Sequence, residues 1–279
     1  MILKSYAKIN LSLIVNSKRK DNLHEIQSLF CLIDLADKIM INKIEGKKDK
    51  IIFNGPFSHL INKKNNSIIN LLNLLRKLRL VSNFYSIVVT KNIPVFGGLG
   101  GGTSNAAFLM KFLLQRKKIK GNTIKKAENV VGSDLRFFFY KQGFLKNLGN
   151  IISLKKKHRL FFILIQPKIK CSTKDIYSRV KKYSSKKPWN EKKIISKKNF
   201  IKCLISNNND LQSIVEKKYP IIKKLLTDLK KEKGCYFSRI TGSGSVSYGL
   251  FDDKIAAKKG LIKLKKKYPK FWFSFAKTV

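Results

Sequence analysis

The stretch P-V-F-G-G-L-G-G-G-T-S-N-A-A, Pro94 to Ala107, decides how this chain is read. Gly97, Gly98, Gly100, Gly101 and Gly102 surround Leu99 and lead into two hydroxyls, Thr103 and Ser104. Before it, Tyr85 to Thr90 is a β-branched run that predicts a strand; after it, Ala106 to Leu114 predicts a helix. Glycines let backbone approach a ligand closely, and the start of the following helix offers free N–H groups and a positive dipole end. The hydroxyls suit phosphate oxygens or a Mg²⁺ ion. No Lys precedes the hydroxyl pair, so this is not the P-loop, and the dinucleotide fingerprint lacks the Thr-Ser ending. A flexible surface turn is the bland alternative, and five glycines in six positions between a strand and a helix argue against it.

Three further segments stand out on either side. S-Y-A-K-I-N-L, Ser5 to Leu11, puts Lys8 and Asn10 on one face of a strand. T-G-S-G-S-V, Thr241 to Val246, is a small-residue turn where Gly242 and Gly244 let backbone pack close to the glycine loop or to phosphates; a plain hairpin turn reads equally well. V-G-S-D-L-R, Val131 to Arg136, sets Asp134 ahead of three phenylalanines, as a general base, a Mg²⁺ ligand or a simple turn residue.

Around these segments the patterning predicts strands at 2–15, 28–42 and 49–54, a helix at 66–80 capped near Ser67, a helix at 123–131 and a strand pair at 135–152. A second half follows with a buried strand at 160–165, an exposed loop at 181–198 and helices at 211–218 and 220–232. It closes with strands at 236–241 and 245–251, a helix at 254–267 and a strand at 271–277. The irregular alternation predicts an α+β protein of two lobes, divided into 1–152 and 153–279.

Charge is the other conspicuous feature. The 279 residues carry 60 Lys+Arg against 16 Asp+Glu, a net of +44. Such a balance first suggests nucleic acid. Yet 52 of the basic residues are lysine and only eight are arginine, and the chain holds 33 Ile and 22 Asn but eight Ala. Lys, Ile and Asn have A/T-rich codons, so base composition offers a second source of the charge. No RRM signature, zinc-finger spacing or helix-turn-helix accompanies it, and no specific nucleic acid is expected. The four cysteines are scattered, the three histidines make no metal spacing, and no apolar stretch reaches the ~20 residues of a membrane helix. A cytoplasmic protein with reduced thiols, no membrane partner and no resident metal site is expected; no oligomeric state is read from the sequence.

Taken in order, S-x-A-K-x-N, P-x-x-x-G-L-G-x-G-x-S and T-G-S-G resemble the three motifs of the GHMP kinase superfamily, which includes galactokinase and the homoserine, mevalonate and phosphomevalonate kinases. H-E-I-Q-S-L-F (His24–Phe30), I-D-L-A-D (Ile33–Asp37), V-G-S-D, S-T-K-D-I-Y (Ser172–Tyr177) and N-D-L (Asn209–Leu211) are similar to the branch that phosphorylates a cytidine-diphosphate alcohol. The resemblance implies a two-lobed fold with the active site in the cleft between lobes. It implies transfer of the γ-phosphoryl group of ATP, with Mg²⁺, to the 2-hydroxyl of a diphosphocytidyl methylerythritol in non-mevalonate isoprenoid synthesis. On that resemblance Asp134 is the catalytic acid–base group and Lys8 its partner. Pro94, Gly97, Gly98, Leu99, Gly100, Gly101, Gly102, Thr103 and Ser104 would hold ATP, with Asn66 and Lys91 near adenine. Asn10, Leu23, His24, Tyr177, Gly242 and Ser243 would meet the cytidine substrate, His24 reading the cytosine edge and Tyr177 stacking on it. Tyr6, Phe96 and Arg136 stand where the family has Pro, Gly and Pro, and Leu23 where it has an aromatic ring. The competing readings are another kinase of the superfamily, such as homoserine or mevalonate kinase, and a basic nucleic-acid-binding protein.

Overall fold

The computed structural model describes residues 1–21, 23–114 and 119–279. The chain opens with β1 (Ile2–Asn10), β2 (Ile14–Lys18), a long β3 (His24–Ile44), β4 (Lys50–Asn54), α1 (Ser67–Lys77) and β5 (Phe84–Thr90). Then come α2 (Gly101–Leu113), α3 (Gly121–Val131), β6 (Gln142–Asn147), β7 (Asn150–Ser153), β8 (Phe161–Gln166) and α4 (Thr173–Ser178). The remainder is α5 (Lys197–Ile205), α6 (Gln212–Lys218), α7 (Pro220–Lys231), β9 (Cys235–Ile240), β10 (Ser247–Phe251), α8 (Lys254–Lys267) and β11 (Trp272–Lys277). This is the α+β class expected from the sequence.

Two compact units interleave along the chain. The first comprises Met1–Lys8, Leu35–Val95 and Gly100–Tyr140; the second comprises Ile9–Asp34, Phe96–Leu99 and Lys141–Val279. In the first unit, positions 38–44 of β3 pair antiparallel with β5, which pairs parallel with β4. Helices α1, α2 and α3 pack together beside them. The buried positions of α1, Ile68, Leu71, Leu72 and Leu75, follow the i, i+3, i+4, i+7 spacing of one helix face. Each contributes about 1.5–3 kcal/mol by burial. Its cap is Asn66, not Ser67: Asn66 Oδ1 accepts from the N–H groups of Ile68 and Ile69 at 3.1 and 3.2 Å.

In the second unit the first part of β3 pairs antiparallel with β2 and with β6, and β6 with β7. A second, antiparallel sheet runs β11-β8-β10-β9; every residue of β8 is buried between its neighbours and under α8, while α7 packs on β9 and β10.

Several expectations change. Residues 2–15 are not one strand: the N–H groups of Leu11 and Ser12 both donate to Leu29 O, at 2.7 and 3.2 Å, which turns the chain between β1 and β2. Residues 133–139 form a 3₁₀ turn and not a strand, because Leu135, Phe137 and Phe138 are buried at helical spacing against α2. The strand pair is β6 and β7 alone. The helix expected at 123–131 is α3, which starts at Gly121; residues 115–118 lie outside the described residues. The loop at 181–198 is largely exposed, but it ends in a 3₁₀ turn, Glu191–Ile194, and the first turn of α5. Helix α5 escapes sequence reading because Phe200, Ile201 and Leu204 sit among lysines; Ser196 caps it, accepting from Asn199 N–H at 3.1 Å.

Candidate active site

In the first unit β1 delivers Lys8 to the interior, where it is 3% exposed, and its Nζ lies 3.1 Å from Asp134 Oδ2. Asp134 opens the 3₁₀ turn and is 35% exposed, so the pair has one end in protein and one in solvent. Three contacts hold that turn. Arg136, where the family has Pro, donates from Nε and Nη2 to the two carboxylate oxygens of Glu128 on α3, at 2.9 and 2.8 Å. This two-pronged geometry fixes the guanidinium plane. Lys111 of α2 donates to Phe138 O and lies over the Phe108 and Phe139 rings at 4.6 and 5.0 Å. Burial pushes the Lys111 ammonium down to about 8. The Lys8 ammonium also faces the Phe137 ring at 5.6 Å.

Helix α2 begins at Gly101, five residues ahead of the expected start, because the glycines let it settle against its neighbours. A Cβ on Gly101 would come within 3.0 Å of Ile93 Cγ2. Gly100 caps the helix with φ +69, a conformation that favours glycine. A Cβ there would stand 2.9 Å from Phe138 Cζ and 3.4 Å from Lys8 Cε, so the helix start and the Lys8–Asp134 pair are in immediate contact. The first-turn N–H groups of a helix have no intrahelical acceptor. Thr103 is half-buried in this turn, near Gly132 two residues before Asp134: a Cβ on Gly132 would lie 3.3 Å from Thr103 Oγ1.

Other residues of the first unit expected to meet ATP make contacts within the protein. Ser104 is fully buried; its hydroxyl donates to Tyr6 O at 2.6 Å and meets Ser5 Oγ at 2.7 Å, which ties α2 to β1. Tyr6 also sets its ring edge-on to Phe108 at 5.7 Å. The polar atoms of Asn66 cap α1 and donate to Asn62 O. Lys91 is 1% exposed, its ammonium paired with Asp37 and bonded to Asn105 Oδ1 at 2.9 Å. Burial lowers the Lys91 pKa, with Asp37 opposing. The Asp37 carboxylate is itself saturated, accepting from Asn105 Nδ2 and from the N–H groups of Asn92 and Ile93 at 2.7–2.9 Å. This buried network fixes the lead-in to Pro94, which is buried too. Asp37 lies in the I-D-L-A-D motif without an expected role; an acid in an apolar strand is the signal that marks it.

In the second unit the rest of the glycine loop lies against the Thr241–Val246 turn. Thr241 Oγ1 donates to Gly98 O at 3.3 Å, and the N–H groups of Ser245 and Val246 donate to the carbonyls of Phe96 and Gly97 at 3.1 and 3.3 Å. Gly98 has φ +73, and a Cβ there would fall 2.1 Å from Thr241 O, so backbone meets backbone directly. Leu99 is buried beneath. Asn10 is buried, its N–H donating to Thr241 Oγ1 at 3.1 Å and its Nδ2 to Ser28 Oγ at 2.8 Å. Gly242 O accepts from Asn209 Nδ2 at 2.8 Å, and Ser243 Oγ meets Thr173 Oγ1 at 3.0 Å.

The structure brings His24 and Tyr177 together, ring centroids 5.0 Å apart and tilted by 39°. Burial and then the Lys18 charge hold His24 below its ordinary pKa, so its ring is neutral at pH 7 with one N–H donor and one lone-pair acceptor. Leu23, beside it, is 47% exposed. A third ring, Tyr183, lies 6.3 Å from His24; it belongs to the segment 181–198, expected to be an exposed loop.

No group of three His, Cys, Asp or Glu among the described residues could cage a metal ion, and no described helix is long and apolar enough to cross a membrane. Mg²⁺ keeps several waters and phosphate oxygens and needs only one or two protein oxygens, and Thr103 and Asp134 fit that donor set.

Comparisons with known proteins converge. The family described as "GHMP kinases C terminal" matches residues 198–270. A protein of Pelagibacter ubique named 4-diphosphocytidyl-2-C-methyl-D-erythritol kinase is 38% identical over 99% of this chain and 98% of its own length. One of the same name from Thermoanaerobacter pseudethanolicus is 32% identical over 97% and 94%. Among solved structures, a 4-(cytidine 5'-diphospho)-2C-methyl-D-erythritol kinase superposes with a TM-score of 0.74 at 22% identity, covering 99% of both chains. The homoserine kinase of Cytophaga hutchinsonii gives 0.63 at 16%, covering 98% and 94%. At these identities the structures speak to fold alone.

Proposed function

The chain belongs to the 4-diphosphocytidyl-2-C-methyl-D-erythritol kinase family of GHMP kinases, and from that membership we propose that Lys8 and Asp134 carry the transfer of the ATP γ-phosphoryl group to the 2-hydroxyl of the cytidine-diphosphate alcohol. The enzyme is an ATP-dependent kinase of isoprenoid precursor synthesis. The observation that carries the residue assignment is the Lys8–Asp134 pair, 3.1 Å apart, in contact with the glycine-opened start of α2.

Asp134 accepts the proton as the alcohol O–H bond breaks and the oxygen attacks the γ-phosphorus. The bond from that phosphorus to the bridging oxygen breaks, and ADP leaves with the electron pair. Lys8 aims the carboxylate and offsets negative charge building on the transferred group. The first-turn N–H groups of α2 and the Thr103 hydroxyl receive phosphate oxygens. Phosphoryl transfer through a loose transition state asks mainly for such positioning and charge neutralisation. The Thr103 hydroxyl would hold Mg²⁺, which when bound would neutralise phosphate charge. Neutral His24 and Tyr177 receive cytosine, the imidazole by its edge and the phenol ring by its face. We assign residues 1–152 to an ATP-binding domain and 153–279 to a C-terminal domain, and the enzyme to the cytoplasm.

ADP release measured with Mg·ATP and each candidate alcohol tests the reading. Turnover is expected with the cytidine compound and not with homoserine or mevalonate. Asp134→Asn should lower kcat by about 10²–10⁴ with substrate KM values little changed, the range of a lost acid–base group. Full activity in Asp134→Asn would remove the proposed base, and turnover of mevalonate alone would reassign the substrate.

A further inference from the structure

We propose that Tyr183 is a base-stacking residue of this enzyme, supplying from an unexpected segment the second aromatic face that Leu23 withholds. The proposal rests on the cytidine-substrate reading above.

Tyr183 is 45% exposed, a large ring left open to solvent in a lysine-rich stretch. It is nonetheless held. Ser184, the next residue, donates its N–H to Val15 O at 2.9 Å and accepts from Asn16 Nδ2 at 3.0 Å. Three residues on, Lys187 and Gln27 clasp each other reciprocally: Gln27 Nε2 donates to Lys187 O at 3.0 Å and Lys187 N–H to Gln27 Oε1 at 2.8 Å. Trp189 then stacks on Phe144 with centroids 4.3 Å apart and planes 8° from parallel. A segment without helix or strand is thus bonded along its length to β2, β3 and β6.

What these bonds hold in place is a ring beside two others. Tyr177 and Tyr183 neighbour the same imidazole at 5.0 and 6.3 Å, both tilted by under 40° from its plane. Burying these rings on one another would satisfy them, but Tyr183 and Leu23 remain nearly half exposed. A half-exposed tyrosine ring and a second ring beside a neutral donor–acceptor imidazole fit a flat heterocycle with a hydrogen-bonding edge. The Lys18 charge acts on His24, which favours a base that carries phosphates. Tyrosine suits the task because its face packs on any base and it loses little rotamer freedom when it does.

The test compares the wild type with Tyr183→Ala and Tyr183→Phe in steady-state kinetics, alongside calorimetric titration with CDP and with ADP. Tyr183→Ala should raise KM for the cytidine compound and weaken CDP binding about five- to fiftyfold, the effect of one lost stacking partner. KM for ATP, ADP affinity and the melting temperature should stay put, and Tyr183→Phe should restore cytidine binding. An unchanged KM and CDP affinity in Tyr183→Ala overturns the inference, as does a parallel loss of ATP affinity, which marks a merely structural ring. The outcomes separate from those of the kinase reading. A wild type that binds CDP through Tyr183 but does not turn over the cytidine compound sinks the kinase assignment and keeps Tyr183. A wild type that binds no CDP sinks Tyr183.

Discussion

Phe96 has φ +56, in the left-handed region where a side chain costs about 1–2 kcal/mol and glycine costs nothing steric. The family resemblance places Gly there, the residue that conformation suits. One side-chain contact offsets the cost: Lys170 lies over the ring at 5.6 Å, while the bond from Ser245 N–H to Phe96 O belongs to the backbone. Phe96→Gly should therefore leave the melting temperature within about 2 °C of wild type, strain relief balancing the lost ring contact and the freer unfolded chain. Phe96→Val, β-branched and badly suited to positive φ, should cost about 1–2 kcal/mol in urea unfolding. Equal stability of the two variants would contradict this account of the loop. Arg136 is a departure of another kind. Its ion pair with Glu128 gives the acid-bearing turn a brace that needs no proline.

At the scale of elements, the long periodic pieces were legible in the sequence. Helices α1, α7 and α8 and strands β9 to β11 fall within two or three residues of their predicted bounds, since amphipathic spacing and glycine turns declare them. The misreadings have physical causes. Helix α2 starts inside glycines that propensity counts as helix breakers, because close packing on Ile93 overrides propensity. The site divides in the same way. Lys8, Asp134, His24 and Tyr177 were readable from motifs, and the structure pairs them two by two. Asp37 and Lys111 were not, because Asp37 meets Lys91 and Asn105 and Lys111 meets Phe138, partners far along the chain, and the Arg136 brace spans eight residues to Glu128 with no motif to mark it. Asn66 illustrates the difference: its motif position pointed to adenine, while its side chain caps α1. Asn66→Ala should cost about 1 kcal/mol in urea unfolding, with Asn66→Ser restoring most of it. Stability untouched by Asn66→Ala would mean that the cap contributes nothing.

For the whole molecule, the net charge of +44 lies on lysines that are mostly exposed, with Lys8 and Lys91 the buried ones among the described residues. Both buried lysines face carboxylates, so what surrounds the protein is a broad, diffuse positive field. Such a field draws in anions, and screening removes it once the Debye length shrinks below about 10 Å. Both substrates are polyphosphates, so raising KCl from 20 to about 300 mM should lower kcat/KM for each several-fold while kcat holds within about twofold. A kcat/KM indifferent to salt would mean that the field plays no part in capture.

The exposed lysines have a further consequence, one of entropy. A lysine side chain surrenders about 2 kcal/mol of rotamer freedom when it is immobilised. Any macromolecule pressing against this surface would have to still many such chains at once. The rings of His24, Tyr177 and Tyr183 have two side-chain torsions each and are already restrained by their neighbours. Sticky by charge, the surface is therefore reluctant by entropy, and the aromatic cluster proposed above to receive the base would give up little freedom of its own.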